Sequence, residues 1–211
     1  MGSEWLGLDL ERGAAIVPPL PDEISKDCWS KVTENPRRYG FHATLKPPFR
    51  LAQDQSQEKL RVTLRDFADS CRSFSGAPLM LARLGGFLAL VLREPSDELS
   101  QLAASCVSQF DCFRMPPDQD ELARRRHNGL TTREIAHVDR WGYPYVFDTW
   151  KFHMTLTSSL PASTSDLVYA HLETRLTPLW KEPFVVDSLC LFQEPSPGGQ
   201  FSFVERFPFR S

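Results

Sequence analysis

Apolar positions along the 211-residue chain follow two spacings, and the spacing changes mark out its elements. Helical spacing is clearest over residues 56–73, where Leu60, Leu64, Phe67, Ala68 and Cys71 share a stripe and Ser56 stands ready as cap. It returns over 96–110, with Leu99, Leu102, Ala103, Cys106, Val107 and Phe110 apolar behind Ser96, and over 165–178. Residues 22–35 predict a shorter helix opened by Asp22. Alternating or continuous apolar runs predict strands at 79–84 and 86–92 around the turn Gly85-Gly86, then at 184–193 and 200–207 around Pro195–Gly199. Residues 5–20 show no clear strand.

Two further alternating stretches, 39–46 and 150–157, carry nearly the same phrase. Phe41-His42-Ala43-Thr44-Leu45 recurs 111 positions on as Phe152-His153-Met154-Thr155-Leu156. In an extended chain the apolar residues of each phrase share one face, and His and Thr share the other. Pro47-Pro48 end the first stretch, because proline has no N–H for a sheet ladder. The element order around each phrase is similar enough to predict an α+β protein. Its two pseudo-symmetric lobes of antiparallel sheet would carry helices outside and a cleft between the His faces. Residues 1–211 then form a single bilobal unit. Residues 114–143, rich in arginine, form a helical insertion of one or two short helices, the second starting at Thr131-Thr132-Arg133-Glu134.

Composition narrows the function. With 41% apolar residues the chain has enough to build a core, and its net charge of −3 disfavours reliance on bulk attraction to nucleic acid. An RNA partner is therefore not favoured. No apolar run reaches the roughly 18 to 20 residues that span a bilayer, and no signal peptide opens the chain, so no membrane partner is expected. The five cysteines, odd in number and without a CxxC, read as free thiols of a cytoplasmic protein. No Cys or His pair has zinc-finger spacing and no HExxH occurs, so no metal site is expected.

Two histidines on one site suit proton transfer near neutral pH, since a free imidazole titrates at about 6.5. One takes a proton from water while the other gives one to a leaving oxygen. The hydroxyls of Thr44 and Thr155 are suited to donate to anionic oxygens, which makes a phosphodiester the natural substrate. A single histidine on a strand face is more often structural, and the matched duplicate is what changes that reading. Lys46, two positions beyond Thr44, and Lys151, two before His153, share the face of the nearby histidine, as candidate phosphate contacts. Tyr143 and Tyr145 precede the second phrase as candidates to line the cleft or stack on a base. Arg37, Arg38 and Arg50 flank the first phrase. Tyr39 falls on the opposite parity from His42 and reads as packing. His127, His137 and His171 have no matched context and read as surface residues.

The paired His-apolar-Thr-Leu phrases resemble the two-histidine (2H) phosphoesterase superfamily. The longer phrases Arg37–Leu51, Leu81–Leu90 and Arg140–Tyr145 resemble one branch of it, an uncharacterised family often encoded with phosphonate-degradation genes. The resemblance runs from about residue 5 to residue 209. It implies metal-independent, cofactor-free hydrolysis of a cyclic or linear phosphodiester of a small nucleotide or sugar phosphate. His42 and His153 would be acid and base, in an unassigned order, and Thr44 and Thr155 would hold the phosphate. It further implies a strand ahead of Trp5-Leu6-Gly7, leaving one sheet a strand short here. The alternative is a module that binds a phosphoryl ligand or RNA end without turnover. Oligomeric state stays open.

Overall fold

The computed structural model describes residues 1–126 and 129–210, so His127 lies outside the described residues. In chain order the elements are α1 (Gly2–Leu6), β1 (Leu8–Asp9), β2 (Ala14–Ala15), α2 (Lys26–Val32), α3 (Glu34–Tyr39), α4 (Gln57–Ser70), β3 (Phe74–Gly76), β4 (Leu79–Leu84), β5 (Phe87–Leu92), α5 (Asp97–Gln109), α6 (Gln119–Arg125), α7 (Thr132–Trp141), β6 (Met154–Thr155), α8 (Ala162–Arg175), β7 (Phe184–Val186), β8 (Ser188–Gln193) and β9 (Ser202–Pro208). The fold is α+β, and its sheets are small and antiparallel. The pairs are β1-β2, β3-β7 and β8-β9, and β4-β5-β6 form three strands. No helix among the described residues is long and apolar enough to cross a membrane.

Two hydrophobic cores give the molecule its two lobes. In the first, β4 and β5 bury Leu79, Leu81, Leu88 and Leu90 against Val168 and Leu172 of α8, against Leu176 just past its end, and against Trp5, Leu6, Ile24 and Val32. In the second, β8 and β9 bury Leu189 and Phe207 against Leu60, Leu64 and Ala68 of α4 and against Leu99, Leu102 and Cys106 of α5. Phe152, Phe184 and Leu92 pack against both cores and join them. α8 thus packs on strands from the first half of the chain, and α4 on strands from the second.

Caps account for the helix starts. Ser56 and Ser96 accept from Lys59 and Leu99, and Thr131 with Glu134 forms a full capping box. The helix expected over 22–35 starts later and is broken. Ser25, not Asp22, caps α2, and the chain restarts as α3 after Thr33. Pro36 explains the break: it has no N–H to give the Val32 carbonyl, which instead accepts from Ser158 at 2.6 Å. The stretch 184–193 divides at Asp187, β7 pairing with β3 and β8 with β9. β3, β1 and β2 are two or three residues long and left no readable alternation.

The two His stretches are the main correction to the expected strands. Only Met154–Thr155 of 150–157 is strand, and 39–46 contributes a single bridge at Ala43. Gly40, at φ 71 and ψ 179, turns the chain sharply between the end of α3 and Phe41. That conformation is essentially open to glycine alone. A Cβ there would meet Leu10 Cδ1 at 2.5 Å. With the Pro47-Pro48 stop, only a short extended segment remains.

Candidate active site

One antiparallel bridge, Ala43 to Met154, assembles the site. Met154 also pairs with Leu90, so β6 lies between β5 and the first His segment. The register sets His42 beside Thr155 and Thr44 beside His153, since residues flanking an antiparallel bridge face one another in reverse order. Met154 and Leu156 turn into the first core, as alternation requires, and leave His153 and Thr155 to the opposite face.

The two imidazoles are held alike. His42 Nδ1 lies 3.1 Å from the Gly40 carbonyl, and His153 Nδ1 lies 2.9 Å from the Lys151 carbonyl. A carbonyl can only accept, so Nδ1 carries the hydrogen in both rings and Nε2 is the nitrogen left for chemistry. Each ring also leans on a phenylalanine from a different sheet. Phe192 of β8 lies 6.0 Å from His42, and Phe87 of β5 lies 6.0 Å from His153, centroid to centroid. Burial lowers the pKa of His42, and the nearby charge of His153 lowers it further. A neutral His42 accepts at Nε2 from the Thr44 hydroxyl, 2.9 Å away. The Thr44 carbonyl in turn accepts from the indole of Trp150 at 3.0 Å.

Other expected contacts are placed differently. The Lys46 ammonium is committed to the Val107 carbonyl at 3.0 Å and to Asp111 at 3.7 Å, with only 9% of its side chain exposed. Burial lowers its pKa, and Asp111 opposes that shift. Lys151 is exposed, and its ammonium has no ion-pair partner among the described residues. Tyr143 packs edge-on against Tyr145 at 5.7 Å, and desolvation of its phenol raises the pKa, with Tyr145, Arg125 and Tyr39 close enough to add their influence. Arg37 stacks on Trp29 at 4.2 Å and donates to Thr33, whereas Arg38 pairs with Glu194 and stacks on Phe201. They line a groove with Ser30, Lys31, Glu34 and Gln200.

Two histidines read as surface residues are not. His137 is 4% exposed, with Nε2 3.2 Å from Asp148 and Nδ1 against Thr149 and Pro144. The Pro144–Thr149 turn folds back over α7, which the helical pattern alone did not show. His171 is half-buried against Trp5.

Tyr39 is the site residue that parity hid. It ends α3 rather than entering a strand, so the Gly40 turn carries its ring to His42, edge-on at 5.4 Å and 81°. Burial raises the pKa of the Tyr39 phenol, and the Thr155 hydroxyl and the charge of Arg38 oppose that shift. The Arg-Tyr-Gly order before Phe41 was the available signal, since a glycine there breaks the alternation.

Among the described residues no group of three or more His, Cys, Asp and Glu side chains is arranged to hold a metal ion. What the face offers is two imidazoles and two threonine hydroxyls on neighbouring segments, with the Tyr39 ring against His42.

The chain belongs to the family described as "Protein of unknown function (DUF1045)", whose model matches residues 44–202. It is also similar to two curated proteins named ribose 1,5-bisphosphate phosphokinase PhnN. The one from Janthinobacterium sp. (strain Marseille) is 35% identical over 99% of this chain and 47% of its own length. The one from Laribacter hongkongensis (strain HLHK9) is 34% identical over 95% of this chain and 46% of its own length. The chain therefore spans about half the length of these relatives.

Proposed function

We propose that this protein is a metal-independent phosphodiesterase that opens a cyclic phosphate, or cleaves a linear phosphodiester, on a small nucleotide or sugar phosphate. The observation that carries the reading is the Ala43–Met154 bridge, which puts two His-x-Thr faces together with both imidazoles offering Nε2. In the reaction one neutral imidazole takes a proton from water as the water oxygen bonds to phosphorus. The other, protonated, gives its proton to the departing oxygen as the P–O bond breaks. The sum is one water added and one phosphomonoester formed. The threonine hydroxyls donate to the non-bridging oxygens, and each proton transfer is worth about 10² to 10⁴ in rate.

The relatives' names fit this reading at one remove. Ribose 1,5-bisphosphate is a sugar phosphomonoester, and opening a cyclic phosphate on a phosphorylated ribose gives a product of that class. This chain has no Gly-Lys dipeptide and hence no GxxxxGK loop for a nucleotide triphosphate, so the reading leaves the phosphokinase chemistry to the other half of those proteins. A sugar-phosphate substrate also suits the phosphonate-linked setting that the sequence resemblance implies.

The test is hydrolysis of 2′,3′-cyclic nucleotides and ribose cyclic phosphates in EDTA by the wild type, His42→Ala and His153→Ala. Turnover that persists in EDTA and disappears in both variants is the expected result. Turnover that survives either substitution overturns the mechanism, and turnover abolished by EDTA overturns its metal independence.

A further inference from the structure

We propose that Trp150 is a positioning residue of this site: its indole N–H fixes the main chain of Thr44 and so keeps the Thr44 hydroxyl on His42 Nε2. The kinetic part of this inference rests on the phosphodiesterase reading. The indole donates to the Thr44 carbonyl at 3.0 Å, and the hydroxyl of the same threonine donates to His42 Nε2 at 2.9 Å. Thr44 is exposed, so polar contacts rather than packing must hold it. Its segment is tied to β6 by an isolated bridge at Ala43, whereas β4 and β5 pair along their whole length. With the bridge before it and the indole on its carbonyl, the backbone of Thr44 is held on both sides. The side-chain torsion is then the main freedom left, and the contact with His42 uses it.

The turn that aims Trp150 is strained. Phe147 has φ 52, a left-handed conformation that a bulky residue keeps only where its surroundings dictate it. The ring of Phe147 packs on Trp141 at 4.9 Å and on His137 at 5.9 Å, and its carbonyl accepts from the Trp150 main-chain N–H at 3.1 Å. The Thr149 hydroxyl reaches the carbonyls of Pro144 and Val146 at 2.7 and 2.8 Å and accepts from the Val146 N–H at 3.1 Å. His137 closes the turn from α7 through Thr149 and Asp148, each at 3.2 Å. Strain that is tied down so thoroughly belongs where direction matters. What this turn directs is an indole whose ring packs on the second core and whose N–H reaches the first His segment. The long path from His137 to His42 thus runs through contacts that each have a defined donor or ring face.

The test compares Trp150→Phe, Thr44→Val and the double variant. Trp150→Phe removes the N–H and keeps a ring beside Phe152, 6.4 Å away in the wild type. If it melts early, benzothienylalanine at position 150 replaces it, since that side chain keeps the bicyclic shape and lacks the N–H. The first readout is the nitrogen NMR signal of His42 Nε2 in the ligand-free protein with the ring neutral, which needs no turnover. A ring nitrogen that loses its donor moves downfield. Trp150→Phe should move the signal toward its position in Thr44→Val, add almost nothing in the double variant, and leave His153 unchanged. No movement, or full additivity with Thr44→Val, overturns the proposal. The second readout is turnover. Trp150→Phe is expected to lower kcat about tenfold with a much smaller change in KM, as a modest misplacement of a reacting group does. The loss should vanish on a Thr44→Val background and multiply on a Thr155→Val background. Wild-type kcat in an active enzyme overturns the proposal, while the histidine variants still report on the mechanism. If the wild type hydrolyses nothing in the panel, the phosphodiesterase reading fails separately and the His42 signal alone decides Trp150.

Discussion

Ala43 and Met154 pair across an antiparallel bridge, and that pairing sets His42 beside Thr155 and Thr44 beside His153. Each residue occupies the small or flexible apolar position between a His and a Thr. A bridge of this kind needs only a few main-chain groups, but it fixes which side chains face each other.

Stability should fall with acid through His42. Burial first, and then the charge of His153, hold its pKa below the ordinary value, which for the unfolded chain is about 6.5. As pH drops below that value the unfolded chain takes up a proton that the folded protein refuses, so the balance shifts toward unfolding until the folded pKa is passed. His171, also depressed by burial, adds to the same slope. Urea unfolding between pH 7.5 and 5.5 should show the loss, and His42→Gln should flatten part of it. An unchanged slope in His42→Gln counts against a half-buried His42 held neutral by desolvation.

Gly40→Ala should cost about 1–3 kcal/mol of stability, because position 40 adopts a backbone conformation reserved for glycine. The new Cβ also presses on Leu10. Activity should drop together with stability, since the turn sets both Tyr39 and the carbonyl behind His42. Calorimetry and the cyclic-phosphate assay check the two effects side by side.

The Trp5 indole donates to the Leu156 carbonyl at 2.8 Å, in a part of the first core where both side chains are almost fully buried. Trp5→Phe removes that donor and should cost about 1–2 kcal/mol. Chemical denaturation measures it, and a loss of a few tenths would show that the carbonyl finds another partner.

The cysteines should separate cleanly by reactivity. Burial pushes the Cys106 thiol up to about 12 within the second core, whereas Cys112 is exposed. A maleimide at neutral pH should label Cys112 in the native protein and reach Cys106 only after denaturant is added. Native labelling of Cys106 would show the second core opening on its own.

The sequence showed much of this architecture because its long amphipathic elements are locally consistent. α4, α5 and the β4-β5 hairpin lie within a few residues of their expected places, and Ser56 and Ser96 cap as their spacing suggested. The repeated phrase named the two histidines and two threonines that flank the Ala43–Met154 bridge. What stayed hidden depended on single backbone events. Pro36 divided a helix, Gly40 reversed the parity of Tyr39, and Phe147, at φ 52, turned the Asp148 region back toward His137. Lys46 had the right parity, but its long side chain found Asp111 instead, a partner 65 positions away that periodicity cannot name.

The interleaving of the two cores has a further consequence. The repeat suggests a midpoint at which the chain could be divided, but α8 covers strands made before that point, and α4 and α5 cover strands made after it. Expressed alone, either half would leave an apolar sheet face without its lid and an amphipathic helix without its bed. Co-expressed, the halves have the means to find each other. For anyone building chimaeras or truncations, the internal symmetry of this chain is thus a guide to where its chemistry lies and a poor guide to where it can be cut.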